Sequence, residues 1–128
     1  MGDNDLDDLW AFDTKTSSWK QIRYQGAHPC PRSFHKMTAA GGKLYVFGGC
    51  SSSGRMSDLY CFDPKNSKWT KLPSSDEIKG RGGAVFEASP DGKSLFVVAG
   101  FTGEESSDVH RFDIASKKWT QLKSFPVK

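Results

Sequence analysis

The side chains of this sequence that could do chemistry are few, and a metal-binding pair is the most suggestive arrangement among them. Asp108 and His110 are two positions apart, so on a β-strand both would lie on one face and could approach the same metal ion. His35 has no serine or cysteine arranged beside it as a nucleophile, which favours a structural role for this histidine. We therefore predict no catalytic residue.

The cysteines and the charged residues exclude several other functions. Cys30, Cys50 and Cys61 form an odd set without C-x-x-C spacing, which predicts neither a disulfide framework nor a zinc site. The 18 basic and 15 acidic residues are interspersed and give a formal net charge of +3, without the basic stripe of a nucleic-acid-binding protein. The longest apolar runs are far shorter than the roughly 20 residues that cross a bilayer. We expect a cytoplasmic protein that binds neither nucleic acid nor membrane.

The elements that position these side chains repeat along the chain with a period of 50 residues. The gap-free copies are residues 8–13 (DLWAFD), 58–63 (DLYCFD) and 108–113 (DVHRFD). A tryptophan follows each copy at the same distance, at Trp19, Trp69 and Trp119. His110 therefore occupies the position of Trp10 and Tyr60, which favours packing over metal binding for this histidine.

Each copy has the pattern of an antiparallel hairpin, with a short apolar strand, a polar turn such as residues 63–67, and a second strand that carries the tryptophan. Two further hairpins lie between the copies. They run from Arg32 to Gly49 and from Arg81 to Gly100. The repeating unit is therefore four short antiparallel strands. The glycine doublet at 48 and 49 is interpreted as the end of a strand, where the backbone turns sharply or approaches another chain segment that a side chain would obstruct.

Four short strands repeated at about 50 residues are typical of a β-propeller blade, because one small twisted sheet must bury both faces against its neighbours. We predict an all-β single domain over residues 1–128, a propeller segment of about two and a half four-stranded antiparallel blades. Its parts are an outer half-blade at 8–22 and whole blades at 32–72 and 81–122. The three periodic tryptophans are assigned to packing between blades.

The glycine doublet after an apolar strand, the aromatic residue on the following strand and the periodic tryptophan resemble the Kelch repeat over nearly the whole chain. Within that superfamily, residues 31–35, 80–84 and 108–110 are most similar to plant Kelch proteins related to nitrile-specifier, epithiospecifier and thiocyanate-forming proteins. The resemblance to this group implies an iron-dependent protein that acts on glucosinolate breakdown products.

The iron ligands of the specifier proteins follow a Glu-x-x-x-Asp-x-x-x-His pattern that this sequence lacks. The nearest approach is Glu104, Asp108 and His110, in which histidine follows aspartate by two positions instead of four. We therefore predict no metal and no cofactor. Fe2+ bound near these three candidate ligands is the alternative that the resemblance implies.

Ligands are expected at the end of the propeller where the loops lie, because loops vary without disturbing the core. In Kelch proteins this end combines the loops after the glycine doublet with the connections between blades, here 50–57, 101–107, 23–31 and 73–80. Arg32 and Arg81 stand at the exits of the connections between blades. The specifier resemblance implies that such arginines hold a sulfate or a carboxylate. Alternatively, they tie down loop carbonyls or pair with acidic neighbours.

Three further residues are candidates for ligand binding at the same loop end. They are Arg55, Phe101 and Glu105. Together with the two arginines they predict a noncatalytic module whose loop end recognises a protein or a small anionic ligand. The alternative function is that of a fragment or relative of an iron-dependent specifier protein.

The half-blade predicts exposed apolar blade faces and an unpaired strand edge. Three arrangements would cover them: the segment belongs to a larger protein, several copies assemble, or another polypeptide adds strands by β-augmentation. We therefore predict a protein partner or self-assembly through these surfaces.

Overall fold

The computed structural model describes residues 4–124 and 126, and in this part of the chain the regular secondary structure consists of β-strands alone. The eleven strands are β1 (Trp10–Asp13), β2 (Ser18–Gln21), β3 (Gln25–Gly26), β4 (Lys36–Ala40), β5 (Lys43–Ser51), β6 (Gly54–Asp63), β7 (Lys68–Leu72), β8 (Val85–Ala88), β9 (Ser94–Phe101), β10 (Glu105–Asp113) and β11 (Lys118–Leu122). The predicted all-β class is confirmed. No helix able to span a membrane occurs among the described residues.

The strands form three small sheets that follow one another along the chain. The first contains β1 and β2, the second has the order β3-β7-β6-β5-β4, and the third has the order β11-β10-β9-β8. All neighbours are antiparallel except β3 and β7. The second and third sheets each have a four-stranded meander whose innermost strands, β4 and β8, contact each other.

The connection between the first two sheets contains a strand that the sequence pattern did not predict. Gln25 and Gly26 pair in parallel with Lys68 and Trp69 of β7, so the second sheet has five strands instead of four. Gly26 has φ +88°, and a β-carbon there would lie 2.3 Å from the Trp69 carbonyl oxygen. Only glycine permits this close approach of two backbones.

The glycine doublet does not end a strand, but it does bring the backbone close to other segments, as its interpretation allowed: a β-carbon on Gly48 would lie 2.9 Å from the Arg81 carbonyl oxygen, and one on Gly49 2.8 Å from that of Ser33. β5 continues through Gly48 and Gly49 to Ser51, with a register shift between Phe47 and Gly49 where it pairs with β6. The positive φ angles of the two glycines, +63° and +103°, allow a β-bulge instead of a strand end. Most of the predicted loop at 50–57 is consequently strand.

Aspartates at the ends of β1, β6 and β10 explain why the chain turns at the same place in each repeat. The backbone N–H of Lys65 donates to the Asp63 carboxylate at 3.0 Å, and the N–H of Lys15 donates in the same way to Asp13 at 2.8 Å. Such turns satisfy backbone donors locally and leave the flanking strands free to pair. The local sequence thus sets the hairpins of the repeat.

The main core lies between the second and third sheets. Phe47 of β5 packs against Phe86 of β8 and Trp119 of β11, with ring centroids 5.7 Å and 6.0 Å apart. Leu59 and Leu95 are fully buried in the same cluster. Side chains of two sheets thus form one apolar layer, which is how stacked sheets bury faces that neither could bury alone.

The assignment of all three periodic tryptophans to packing between blades was wrong for Trp19. Trp69 is 4% exposed and Trp119 is half-buried, but Trp19 is 67% exposed and packs on Phe12 of its own hairpin. The physical reason is that no described sheet stands on that side of the β1–β2 hairpin. The opposite side of the hairpin contributes Leu9 to a cluster that surrounds Trp69.

Candidate functional site

Arg32 is held inside the second sheet by a set of hydrogen bonds. Its two Nη atoms donate to the Asp58 carboxylate at 2.7 and 3.1 Å, and Nη1 also donates to the Gly48 carbonyl at 3.0 Å. Nε donates to the Cys30 carbonyl at 3.1 Å. The guanidinium carbon lies 5.5 Å from the centre of the Tyr60 ring. Burial, the largest single effect, lowers the pKa of Arg32, but the hydrogen bonds and charge interactions with Asp58 and Cys30 together outweigh it and raise the pKa.

Arg81 repeats this arrangement in the third sheet. Its Nη atoms donate to the Asp108 carboxylate at 2.6 and 2.9 Å, Nη1 donates to the Ala99 carbonyl, and Nε donates to the Lys79 carbonyl. The Arg81 side chain is only 1% exposed. Of the two roles considered for these arginines, pairing with acidic neighbours and loop carbonyls is the arrangement observed. An anionic ligand would have to displace a carboxylate to reach either guanidinium.

The three candidate metal ligands are arranged around this ion pair. His110 is buried, and its Nε2 lies 2.7 Å from the Asp108 carboxylate, which also accepts hydrogen bonds from Arg81 and Ser106. Partial burial raises the pKa of Asp108, but these hydrogen bonds outweigh it and hold the pKa well below its ordinary value. Glu104 is exposed. Residues 4–124 and 126 contain no group of three or more acidic, histidine or cysteine side chains placed to hold a metal.

Two of the remaining candidates meet in a cleft at the junction of the second and third sheets. We call it the junction cleft, and its lining residues are Phe34, Cys50, Arg55, Gly82 and Phe101. It has a volume of about 220 Å³. Two isolated bridges, Ser33 with Cys50 and Gly82 with Phe101, contribute three of these lining residues. The cleft therefore lies where the segments that precede β4 and β8 pair with the ends of β5 and β9.

Aromatic rings and one cation dominate the lining of the junction cleft. Phe34 is 61% exposed and Phe101 is 46% exposed. The guanidinium carbon of Arg55 lies 5.1 Å from the centre of the Phe101 ring, a cation–π contact that keeps the charge beside the apolar surface. In the ion pairs of the described residues Arg55 has no acidic partner. The cleft can thus accept an apolar group and an anionic group side by side.

The backbone at Phe34 is in an unusual conformation for a side chain of this size. Its φ is +59°, in the left-handed region that is costly for residues with a β-carbon. The corresponding position of the next repeat is Gly83, at φ +67°. Because the corresponding position of the next repeat is glycine, the fold does not require a side chain here. Strain of this kind at a cleft is a reason to suspect a function.

Glu105 lies elsewhere, in a second cleft shared with two of the metal candidates. Glu104, Glu105 and Asp108 border that cleft together with Glu77, Lys79 and Arg81. The structure therefore does not bring the predicted residues together in one site. Arg32 and Arg81 are buried in ion pairs, Arg55 and Phe101 line the junction cleft, and Glu104, Glu105 and Asp108 border the second cleft together with Arg81.

The comparison with protein families identifies the fold. The family described as the KLHDC2/KLHL20/DRC7 Kelch-repeats domain matches residues 1–126. The chain belongs to the Kelch-repeat family. Its relatives include host cell factor 2 of Homo sapiens, 48% identical over 44 residues, which are 34% of this chain and 6% of that protein. Host cell factor of Drosophila melanogaster is 46% identical over 44 residues, which are 34% of this chain and 3% of that protein.

A third relative carries the repeat in its name. Kelch domain-containing protein 3 of Bos taurus is 41% identical over 46 residues, which are 36% of this chain and 12% of that protein. The chain thus matches only a small part of the length of these curated relatives. The Kelch resemblance predicted from the glycine doublet and the tryptophan period is confirmed.

Sequence reasoning missed residues on which the site of this Kelch segment depends. Phe34 was not considered for the loop end, although the alignment of Arg32-Ser33-Phe34 with Arg81-Gly82-Gly83 places a large aromatic side chain opposite glycine. Asp58 was missed as the partner of Arg32. Its recurrence at the same position in each 50-residue copy was an available signal, because an acid kept in register with a buried arginine suggests a pair.

Proposed function

We propose that this Kelch segment is a noncatalytic interaction module that binds a linear segment of a protein partner in the junction cleft. The observation that carries the proposal is the meeting of Phe34, Phe101 and Arg55 in one open cleft. In this proposal an apolar side chain of the partner inserts between the two phenylalanine rings. A neighbouring carboxylate of the partner then pairs with the Arg55 guanidinium.

The composition of the cleft supports binding to a protein. Aromatic residues and arginine are enriched at protein interfaces, where aromatic anchors in desolvated pockets contribute most of the binding energy. The exposed area of Phe34 and Phe101 would be buried by a partner, at about 25 cal/mol per Å² of apolar surface. Membership of the Kelch-repeat family adds support, because Kelch repeats generally mediate protein interactions.

A small anionic ligand is the other occupant predicted for the loop end. In the junction cleft it would use the same guanidinium but would leave most of the aromatic surface uncovered. Acetate and sulfate are suitable probes of this possibility. If binding needs only the charge of Arg55, these anions compete with a bound peptide at low concentration. If insertion of an apolar side chain between the Phe34 and Phe101 rings contributes most of the binding, these anions compete weakly.

The test uses a library of random linear peptides displayed on phage and selected against the whole chain. We expect selected peptides to place an acidic residue next to an aromatic or large aliphatic residue. Titration calorimetry with one such peptide should show roughly 30-fold weaker binding to Phe101→Ala and to Arg55→Gln, the loss expected for interface anchors. Arg23→Gln removes an exposed arginine outside the cleft and is the matched control. Peptides that bind all four proteins equally would refute the proposal.

The predicted cytoplasmic location and self-assembly belong to the same proposal. Cys30, Cys50 and Cys61 are free thiols, as expected of a protein kept in a reducing compartment. Sedimentation across a dilution series measures assembly directly. A mass that falls with dilution supports self-association through the exposed blade faces and the strand edge, whereas a constant monomer mass assigns these surfaces to a different partner.

The likeness to plant specifier proteins leads to a separate hypothesis, iron-dependent action on glucosinolate breakdown products. It requires ferrous iron at or near Glu104, Asp108 and His110. The Arg81 guanidinium already engages both carboxylate oxygens of Asp108, so iron would have to break a buried ion pair. Metal analysis after incubation with Fe(II) tests the hypothesis. Stoichiometric iron that Asp108→Asn abolishes would favour it over the interaction module.

A further inference from the structure

Two sulfur atoms from different parts of the chain lie next to each other at the second sheet. The thiol of Cys30, in the connection between β3 and β4, donates to the thioether sulfur of Met56 in β6, with 3.9 Å between Sγ and Sδ. Neither side chain lines the junction cleft. The fold thus brings together a pair of soft metal ligands that are 26 positions apart in the sequence.

The chemistry and spacing of this sulfur pair suit a soft metal ion. Thiolate and thioether groups select Cu(I), whereas carboxylates, carbonyls and water suit hard ions such as Mg²⁺. With metal–sulfur bonds of about 2.3 Å, a separation of 3.9 Å between the sulfurs corresponds to an angle of about 116° at the ion. This angle is close to trigonal, so one ion can contact both sulfurs without a movement of the backbone.

A fixed cation beside Cys30 favours the form of the thiol that binds metals. Nη2 of Arg32 donates to the Cys30 Sγ at 3.4 Å, and Nε of the same arginine donates to the Cys30 carbonyl at 3.1 Å. Asp58 holds this guanidinium in place. A hydrogen bond from a cation stabilises a thiolate, and partners of this kind orient metal ligands and tune the ion that they bind. Arg32 therefore positions the sulfur as well as bracing the sheet.

The pair is accessible from solvent and its backbone is restrained. Cys30 is exposed and Met56 is partly buried. Pro29 and Pro31 flank the cysteine, and a proline on each side limits the conformations of the backbone at this point. An ion can therefore reach both sulfurs from outside. Its remaining coordination position faces solvent, where a small donor molecule can occupy it.

The third sheet shows that the repeat does not require sulfur at either position. Lys79 takes the place of Cys30, since its carbonyl accepts the same Nε hydrogen bond from the arginine of its own sheet. Ser106 takes the place of Met56, 50 positions later in the sequence. The sulfur pair is thus a feature of the second sheet and not of the repeat.

We propose that Cys30 and Met56 form a binding site for one Cu(I) ion per chain. On binding, a bond forms between the ion and the Cys30 Sγ while the thiol proton passes to solvent, and the Met56 Sδ donates a lone pair. The ion is neither oxidised nor reduced in this step. The site is separate from the function proposed for the junction cleft, whose cysteine is Cys50.

The first test is an anaerobic titration of the whole chain with Cu(I) supplied as its complex with the chromophoric chelator bicinchoninate. We expect one Cu(I) to be transferred per chain. Met56→Leu nearly conserves the volume of the side chain but removes the thioether. It should weaken binding by roughly tenfold or more, because even the loss of an outer partner costs a metal site that much. Met37→Leu removes another exposed thioether and is the matched control.

Cysteine variants test the thiolate ligand in the same titration. Cys30→Ser should abolish stoichiometric transfer of Cu(I), whereas Cys61→Ala, which removes a different free thiol, should bind like the wild type. Phe101→Ala should also bind Cu(I) normally while it loses the peptides selected on the junction cleft. Failure of this inference is therefore distinguishable from failure of the proposed function.

A spectroscopic test on the wild-type chain avoids any effect of a substitution on folding. Ag(I), a stand-in for Cu(I) that resists oxidation, is titrated into protein labelled with ¹³C at the methionine methyl groups. The three methionines give three methyl signals. We expect the Met56 signal to shift until one equivalent of Ag(I) is bound and the Met37 signal to stay in place.

Four outcomes would overturn the inference. They are transfer of much less than one Cu(I) per chain, equal affinity of Met56→Leu and the wild type, and a shift of the Met37 methyl signal as large as that of Met56. The fourth is a doubling of the mass in sedimentation when Cu(I) is added, because the ion would then join the cysteines of two chains instead of the two sulfurs of one.

Discussion

At the scale of single residues, the same type of side chain serves two different purposes. Arg32 and Arg81 are buried against carboxylates, and such pairs fix geometry more than they add stability, because removing the charges from water is costly. Arg55 lies instead at an exposed aromatic ring, where its charge remains available. Burial beside an aspartate of the same sheet therefore distinguishes Arg32 and Arg81, which have structural roles, from the exposed Arg55.

The strained backbone of Phe34 leads to a prediction about stability. Phe34→Gly should leave the free energy of unfolding unchanged or raise it by up to about 1 kcal/mol, since glycine adopts the left-handed conformation without the cost of a β-carbon. Urea denaturation measures the change. The same substitution should abolish binding of the peptides selected on the junction cleft.

Phe34→Ala provides the matched control for this substitution. It also removes the ring but keeps a β-carbon in the left-handed region, so it should lose binding without gaining stability. A glycine variant less stable than the alanine variant would show that the phenylalanine is retained for packing.

The ion pair of Asp108 predicts a dependence of stability on pH. The pKa of Asp108 is lower in the folded chain than in the unfolded chain, so its ionised form stabilises the fold. This contribution is complete well above the unfolded pKa of about 4 and is lost as the pH falls through that value towards the folded pKa. Asp108→Asn should cost about 3 kcal/mol at neutral pH, because it leaves Arg81 charged and buried.

Urea denaturation at several pH values between neutral and acidic conditions tests this dependence. The stability of Asp108→Asn should fall less steeply with acidification than that of the wild type. Asp76→Asn, which alters an exposed acid, should follow the wild-type curve. Parallel curves for the wild type and Asp108→Asn would contradict the assignment.

At the scale of elements, three hairpins with the same pattern have different surroundings. The second and third are continued by inner strands and contribute to stacked faces, whereas the first has one face against the second sheet and the other in solvent. The pattern of a hairpin therefore specifies its turn and its strand pairing. Its burial depends on which neighbours stand beside it.

Substitution of the periodic tryptophans by alanine measures how much each hairpin is covered by its neighbours. Trp69→Ala should reduce the free energy of unfolding by roughly 3–5 kcal/mol, the range for large buried aromatic residues. Trp19→Ala should cost less than about 1 kcal/mol, because most of that side chain is already in water. Trp119→Ala should fall between them. Equal losses at Trp19 and Trp69, measured by urea denaturation, would mean that a neighbour covers the first hairpin in solution.

At the scale of the whole molecule, stability is distributed unevenly along the stack. The second and third sheets share one apolar layer. The β1–β2 hairpin packs on the second sheet mainly through the partly buried side chains of Leu9, Ile22 and Tyr24. Stacked repeats are stabilised largely by contacts with their neighbours. The β1–β2 hairpin, which has only two strands and few buried apolar contacts, is therefore expected to open before the larger second and third sheets.

Amide hydrogen exchange measures this order of opening. We expect the backbone amides of β1 and β2 to exchange much faster than those of β5, β6, β9 and β10, because local opening is easiest where few apolar contacts are broken. Uniform protection across all three sheets would contradict the predicted order.

What the sequence determined by itself is the repeating part of this protein. The turn-forming aspartates and the alternating apolar strands act over a few residues and predict the all-β class. Their recurrence every 50 residues predicts the Kelch type. Three features depended on how separate segments approach one another: the extra strand at Gln25–Gly26, the exposure of Trp19, and the meeting of Phe34 with Phe101. Such contacts join residues far apart in the chain, where local propensity carries no information. The tertiary structure alone decided which arginines are buried and which aromatic rings are exposed.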